Sequence, residues 1–162
     1  MKKILPFFVL IILLSCQPAE LKVDQAAEIS LIETTLDRYV LANEKEDISL
    51  ARSVWADYDD ITLFGTDFDE KLVGWETISQ TIQNQYSLIE NTLISVSDQN
   101  IKLDTDGKFA WFSERLDYNF VYKDSAQKYD GLRFTGVLEK IDGQWKILQA
   151  HLSLPAGTKI IR

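Results

Sequence analysis

The hydrophobic period of this chain changes once, and that change dictates its architecture. Up to about residue 89 the apolar residues recur three and four positions apart, and from residue 93 onward they alternate. Helices therefore come first and a sheet second. A chain so ordered lays the apolar stripes of its helices on one face of the sheet.

After Asp24, a good N-cap residue, Ile29, Ile32, Leu36 and Tyr39 or Val40 mark an amphipathic helix over residues 25–43. Asp47 caps a shorter second helix with Ile48, Ala51, Val54 and Trp55 on one face, and the acidic run Asp57-Tyr58-Asp59-Asp60 follows as a loop. Residues 61–64 read as a strand. Trp75, Ile78, Ile82, Tyr86 and Ile89, after Gly74, predict a third helix over 75–89. β-Branched and aromatic residues then fill 93–103, 109–122, 132–141 and 144–154. Asp104-Thr105-Asp106-Gly107, residues 123–130 and Asp142-Gly143 separate these four stretches, which predict antiparallel strands joined as hairpins.

Asp142-Gly143 favours a two-residue type I′ turn, which sets Ile141 against Gln144, Glu139 against Lys146, Val137 against Leu148 and Phe134 against His151. One face of that hairpin then carries Phe134, Gly136, Leu138, Trp145, Ile147, Gln149 and His151. Its bulk assigns it to the helices. The other face keeps Val137, Leu148, Ala150 and Leu152, an apolar strip that predicts a homodimer through the sheet.

The start of the chain reads as an address. Lys2 and Lys3 precede eleven uncharged, mostly apolar residues, 4–14, the n- and h-regions of an export signal. At about 1.5 Å per residue those eleven reach ~16 Å, short of the ~30 Å of a bilayer core. Leu13-Leu14-Ser15-Cys16 resembles the lipobox of bacterial lipoproteins, in which the signal is cut before a Cys that receives the lipid. The expected organisation is thus a signal peptide over 1–15, a lipidated Cys16 with its spacer over 16–23, and one domain over 24–162, anchored to a membrane of a bacterial cell envelope after export. Loss of Lys2 and Lys3 with the signal takes the net charge from −8 to −10. Nucleic acid is excluded as a partner on the sign of that charge. A single Cys and a single His leave no disulfide and no motif that needs two imidazoles. No phosphate-binding Gly-rich loop and no Gly-x-Ser-x-Gly elbow occurs, and the acidic runs lack the spacing of a calcium-binding loop, so neither a metal nor a cofactor is expected.

The order helix, helix, strand, helix and four antiparallel strands resembles the SnoaL-like group of the nuclear transport factor 2-like superfamily. So do FGTDFDEKLVGWE around Gly74, AWFSE around Trp111 and RFTGVLEKIDGQWKILQAHLSLP from Arg133 to Pro155. The resemblance covers about residues 24–155. It implies an α+β cone, three helices packed on a curved antiparallel sheet with a pocket at the open end, commonly dimeric through the sheet. It leaves activity open, because the group includes isomerases, cyclases and dehydratases beside proteins without known activity.

The same resemblance places His151, with Gln149, on the pocket lining, where imidazole can serve as base or hydrogen-bond partner. Alternation groups Glu114 with Phe112, Leu116, Tyr118 and Phe120. An acid among apolar neighbours has a raised pKa, and Tyr118 on the same face could polarise a carbonyl. Tyr39, Phe64, Trp111 and Phe134 supply aromatic lining. Arg133 is implied as an anion partner, although the two-residue turn puts it opposite His151; a β-bulge in either strand would bring the two to one side. Two functions fit these residues: a tethered module that binds a small hydrophobic or amphipathic molecule, or a cofactor-independent proton-transfer enzyme with Glu114 or His151 as base and Tyr118 as polariser. Convergence of Glu114, Tyr118 and His151 on one cavity separates the two.

Overall fold

The computed structural model describes residues 23–67 and 69–155. The signal peptide, Cys16 and most of the spacer lie outside the described residues. Within them the elements run α1 (Gln25–Glu44), α2 (Ile48–Val54), β1 (Thr62–Phe64), β2 (Lys71–Val73), α3 (Trp75–Tyr86), β3 (Ile89–Leu103), β4 (Phe109–Tyr122), β5 (Ser125–Ile141) and β6 (Gln144–Ser153). The six strands form one curved sheet in the order β2-β1-β6-β5-β4-β3. Every neighbouring pair is antiparallel except β1 with β6. The sheet is therefore mixed rather than purely antiparallel, because β1 reaches the sheet through α2 and not through a hairpin.

The helices start where short acids can satisfy free backbone N–H groups. Asp24 accepts from Ala27 N at 3.1 Å, and Asp47 accepts from the Ser49 and Leu50 amides at 2.8 and 2.9 Å. Cations close α2 at its other end, where Arg52 donates to the Ala56 carbonyl at 3.1 Å and Lys146 to the Ser53 carbonyl at 2.6 Å. The stripe of α1 buries Ile32, Leu36, Tyr39 and Ala42 against the sheet. There Tyr39 stacks on Phe134 with centroids 4.5 Å apart, and Phe112 meets the same ring edge-on at 4.8 Å. Glu28 ties α1 to the last hairpin by accepting from Lys140 Nζ at 2.6 Å and Trp145 Nε1 at 2.9 Å.

Three strand boundaries depart from the sequence pattern. β2 was not expected, and at three residues it is too short to show a period. α3 ends at Tyr86 and β3 begins at Ile89, then continues through two bulges beside Asn91 and Asp98, both in the left-handed region. Residues 123–130 are not a loop: Lys123 and Asp124 alone form the turn, at φ 48° and 59°, and β5 starts at Ser125. Residues 125–130 are exposed, so no apolar alternation marks them as strand.

The largest correction lies in β6. The pairs Ile141 with Gln144 and Glu139 with Lys146 form as expected, but the register slips after Leu138–Ile147. Two residues of β6, Leu148 and Gln149, stand against Val137, so Thr135 faces His151 and Phe134 faces Leu152. The slip exchanges the two faces beyond residue 148. Ala150 joins the core at 0% exposure and Leu152 packs against it, while His151 turns outward and is exposed. The strip Val137, Leu148, Ala150 and Leu152 is thereby broken. Gly136 is required beside the bulge: a Cβ there would lie 2.4 Å from the Gln149 carbonyl oxygen and 2.7 Å from the Phe112 ring.

Candidate functional site

The slip in β6 divides the expected site residues between the two faces of the sheet. Tyr39, Glu114, Tyr118 and Phe134 are buried on the helix side. Phe64, Trp111, Arg133, Gln149 and His151 belong to the outer side, where cross-strand register sets Trp111 against Val137, Val137 against Gln149, and Thr135 against His151 beside Phe64. Glu114, Tyr118 and His151 therefore do not converge. The bulge does bring Arg133 and His151 to one side, but it does so by carrying His151 out rather than Arg133 in. Gln149 follows His151.

On the helix side Glu114 is 3% exposed. Its Oε2 accepts from Gln99 Nε2 at 2.7 Å, and its Oε1 is buried without a partner. Burial pushes this carboxyl above the ordinary range; the Gln99 amide opposes the rise and Asp37 adds to it. A protonated acid fits this geometry. With Oε2 accepting from Gln99, a proton held by this carboxyl would sit on Oε1 and offer an O–H to any acceptor placed there. Alternation sufficed to find Glu114, but Gln99 comes inward only because β3 bulges at Asp98, and no period reveals that.

Further along the same face the Tyr118 hydroxyl donates to Asn43 Oδ1 at 3.4 Å and accepts from Gln85 Nε2 at 3.3 Å. Asn43 is fixed in turn by donating to the Tyr39 carbonyl at 2.9 Å. Tyr39, Tyr86 and Tyr118 all have hydroxyl pKa values pushed upward, chiefly by burial. They are neutral hydrogen-bonding groups. The Tyr86 hydroxyl is buried and unpartnered. Asn43, Gln85 and Tyr86 were not picked out from the sequence, where a helix-borne amide or phenol carries no distinguishing signal.

On the outer side a shallow cleft of about 230 Å³ lies between β6 and the β1–β2 hairpin, lined by Phe64, His151, Lys71 and the carboxylates Asp67, Asp69 and Glu70. His151 meets the Phe64 ring edge-on at 6.0 Å, and Lys71 Nζ lies 5.7 Å from the centre of that ring. Glu70 folds back on Gly65, where any Cβ would collide with its carboxyl, so this acid holds the hairpin loop. Asp104 likewise serves its own turn by accepting from the Lys108 and Phe109 amides. Among the described residues no three His, Cys, Asp or Glu side chains gather in a way that could hold a metal ion.

Comparison with known proteins fits this architecture. Residues 32–157 match a family described as SnoaL-like domain. No curated protein matches the sequence. A nuclear transport factor 2-like superfamily protein from Salmonella enterica serovar Typhimurium superposes with a TM-score of 0.75 at 18% identity, over 83% of this chain and 96% of that one. A provisionally assigned dehydratase of the same superfamily from Streptomyces avermitilis gives 0.72 at 13% identity, over 82% and 99%. A provisionally assigned scytalone dehydratase from Novosphingobium aromaticivorans gives 0.72 at 14%, over 85% and 91%. At such identities these likenesses speak for the fold.

Proposed function

Because the chain belongs to the SnoaL-like domain family, within the nuclear transport factor 2-like superfamily, we propose that it is a membrane-tethered module that holds a small amphipathic molecule on the helix side of its sheet. The observation that carries this is Glu114: a carboxyl 3% exposed, with one oxygen bonded to Gln99 and the other bonded to nothing. An unsatisfied buried polar group costs about 1–3 kcal/mol. A ligand acceptor at Oε1 recovers that cost, and Tyr39, Phe112 and Phe134 give it apolar walls. Cys16 carries the lipid that holds the domain at the envelope membrane. A second copy covers the outer face, where Phe109 and Trp111 are exposed and Trp111 pairs with Val137.

A thermal-shift screen of small ketones, phenols and acids tests the reading, since a ligand at a hundred times its Kd adds about 2.7 kcal/mol to stability. Hits should lose affinity at least tenfold, about 1.4 kcal/mol, in Glu114→Leu and keep it in His151→Ala. Equal affinity in Glu114→Leu would remove Glu114 from the site.

One observation favours proton transfer as a second reading. A carboxyl raised by burial moves toward the pKa that suits an acid or base near neutral pH, and dehydratase assignments among the structural relatives agree in kind. His151 has no part in it. Turnover of a carbonyl compound that is abolished in Glu114→Gln and unchanged in His151→Ala would favour this reading over binding alone.

A further inference from the structure

The end of the domain away from the Asp142-Gly143 turn carries features that the proposal for Glu114 does not use. The β4–β5 hairpin runs past β6, whose last pairing is Ser153 with Arg133, and its tip bears an aromatic series on the helix side. Tyr118, 8% exposed, meets Phe120 edge-on at 5.9 Å, and Phe120 meets Tyr129 at 5.4 Å. The series thus climbs from the interior to Tyr129, which is 40% exposed. Tyr122 follows on the same side of β4, half-buried, and the Lys123 ammonium already stands 4.9 Å from its ring centre. Beside them Tyr86 holds its unpartnered hydroxyl.

The hairpin tip carries Lys123, Asp124 and the ion pair Lys128–Asp130, and the loop after α1 adds acids at the inner end of the series. Glu44 and Glu46 act on Tyr118, and Asp47 and Glu46 on Tyr86. Lys45, in the same exposed loop, is the only cation among Glu44-Lys45-Glu46-Asp47. Aromatic faces within reach of carboxylates attract a cation, and most strongly one whose charge is spread over methyl groups and so easily stripped of water. An anionic or neutral ligand gains nothing from those acids. From the ring series, its acidic surround and the resident ammonium on Tyr122, we propose that the Tyr118–Phe120–Tyr129 ladder with Tyr122 takes a quaternary or tertiary ammonium group, the cationic head of an amphipathic ligand. This rests on the ligand-binding reading above and names the class of its ligand. The Tyr86 hydroxyl then serves a hydroxyl or ester oxygen near the charged head, and the apolar body runs inward along β4.

The test uses the full chain in maltoside micelles with isotope-labelled tyrosine rings, and two probes: choline, and its neutral isostere dimethylbutanol, in which a tert-butyl group replaces the trimethylammonium. Choline should shift the Tyr122 and Tyr129 rings saturably and leave Tyr58, which is also exposed and near acids, in place. Dimethylbutanol should bind about tenfold more weakly, the scale of one desolvated cation–π contact. Tyr129→Leu should weaken choline severalfold, and Lys123→Gln, which vacates the face of Tyr122, should strengthen it. Equal affinity for both probes overturns the cationic class while the amphipathic-ligand reading stands. Choline shifts shared equally by Tyr58, or no saturable shift at all, also overturn it, and a screening hit that depends on Glu114 would then show that the ligand-binding reading survives on its own.

Discussion

Glu114 stands on β4 between Phe112 and Leu116, with apolar neighbours and almost no exposed surface. Its carboxyl is raised in the folded protein, so the fold binds a proton there that the unfolded chain has already released. Stability then falls as pH rises from the ordinary carboxylate range through the folded pKa, and levels off above it. Glu114→Gln should flatten this decline. The variant should gain on the wild type as pH rises above the ordinary carboxylate range, read from urea unfolding at a series of pH values. Glu28 does not disturb that window. Its hydrogen bond from Lys140 holds its pKa below the ordinary value, so its contribution is complete above the usual carboxylate range and is lost only as pH falls further. A wild type and variant whose stabilities run parallel above the ordinary carboxylate range would show that Glu114 ionises at no cost.

Among the elements, the two hairpin turns make a comparison. Asp142-Gly143 has the chemistry its left-handed φ values of 49° and 77° demand, and it was legible as a turn. Lys123-Asp124 has the same conformation, with a Lys where the left-handed region favours Asn, Asp or Gly, and no Gly at the second position. Replacing the pair by Asn-Gly should stabilise the domain by about 0.4–1 kcal/mol, and calorimetry showing no gain would mean that the tip is anchored by its aromatic contacts instead. The contrast explains why the sequence shows the first turn and hides the second within residues 123–130. Helices were legible because their stripes repeat over many residues, as Ile32, Leu36 and Tyr39 do on α1. The β6 bulge was not, since a strand is judged by alternation and alternation was extended unbroken from Trp145. The signal was present all the same. Trp145 and Ile147 set the inner phase, yet Gln149 and His151 are the polar residues that continue it and Ala150 and Leu152 are apolar. Only a slip of one residue puts all four apolar side chains inside. The candidate site suffered most from that reading, because His151 and Gln149 lie beyond the slip and Glu114 and Tyr118 do not depend on it.

For the molecule as a whole, the outer face and the proposed Cys16 tether decide how the domain is presented. Trp111, 51% exposed, and Phe109 stand on the outer side of β4, with Trp111 paired to Val137 of β5, an apolar patch on the face whose strip the bulge broke. If a second copy covers it, Trp111→Glu should give a monomer by light scattering where the wild type is a dimer, with unfolding little changed because the residue packs against nothing in its own core. A wild type that is monomeric at high micromolar concentration removes this assembly. The tether leaves from the end of the sheet near that patch, since Val23 packs on the Asp104–Lys108 turn, close enough that a Cβ on Gly107 would touch it at 2.8 Å. Val23 is seven residue steps from Cys16, so a lipid there would keep this end within about 24 Å of the membrane at roughly 3.4 Å per extended residue. The proposed anchor is the lipid on Cys16, and among the described residues no helix is long and apolar enough to cross a bilayer. Cys16→Ala should therefore move the protein from the membrane to the soluble fraction while its melting temperature and ligand binding stay as they were, because acyl chains hold the membrane through burial of about 0.8 kcal/mol per CH₂ and take no part in the fold. Membrane retention of the Cys16→Ala protein would instead make residues 1–15 an uncleaved hydrophobic anchor, and a soluble wild type would remove the tether altogether.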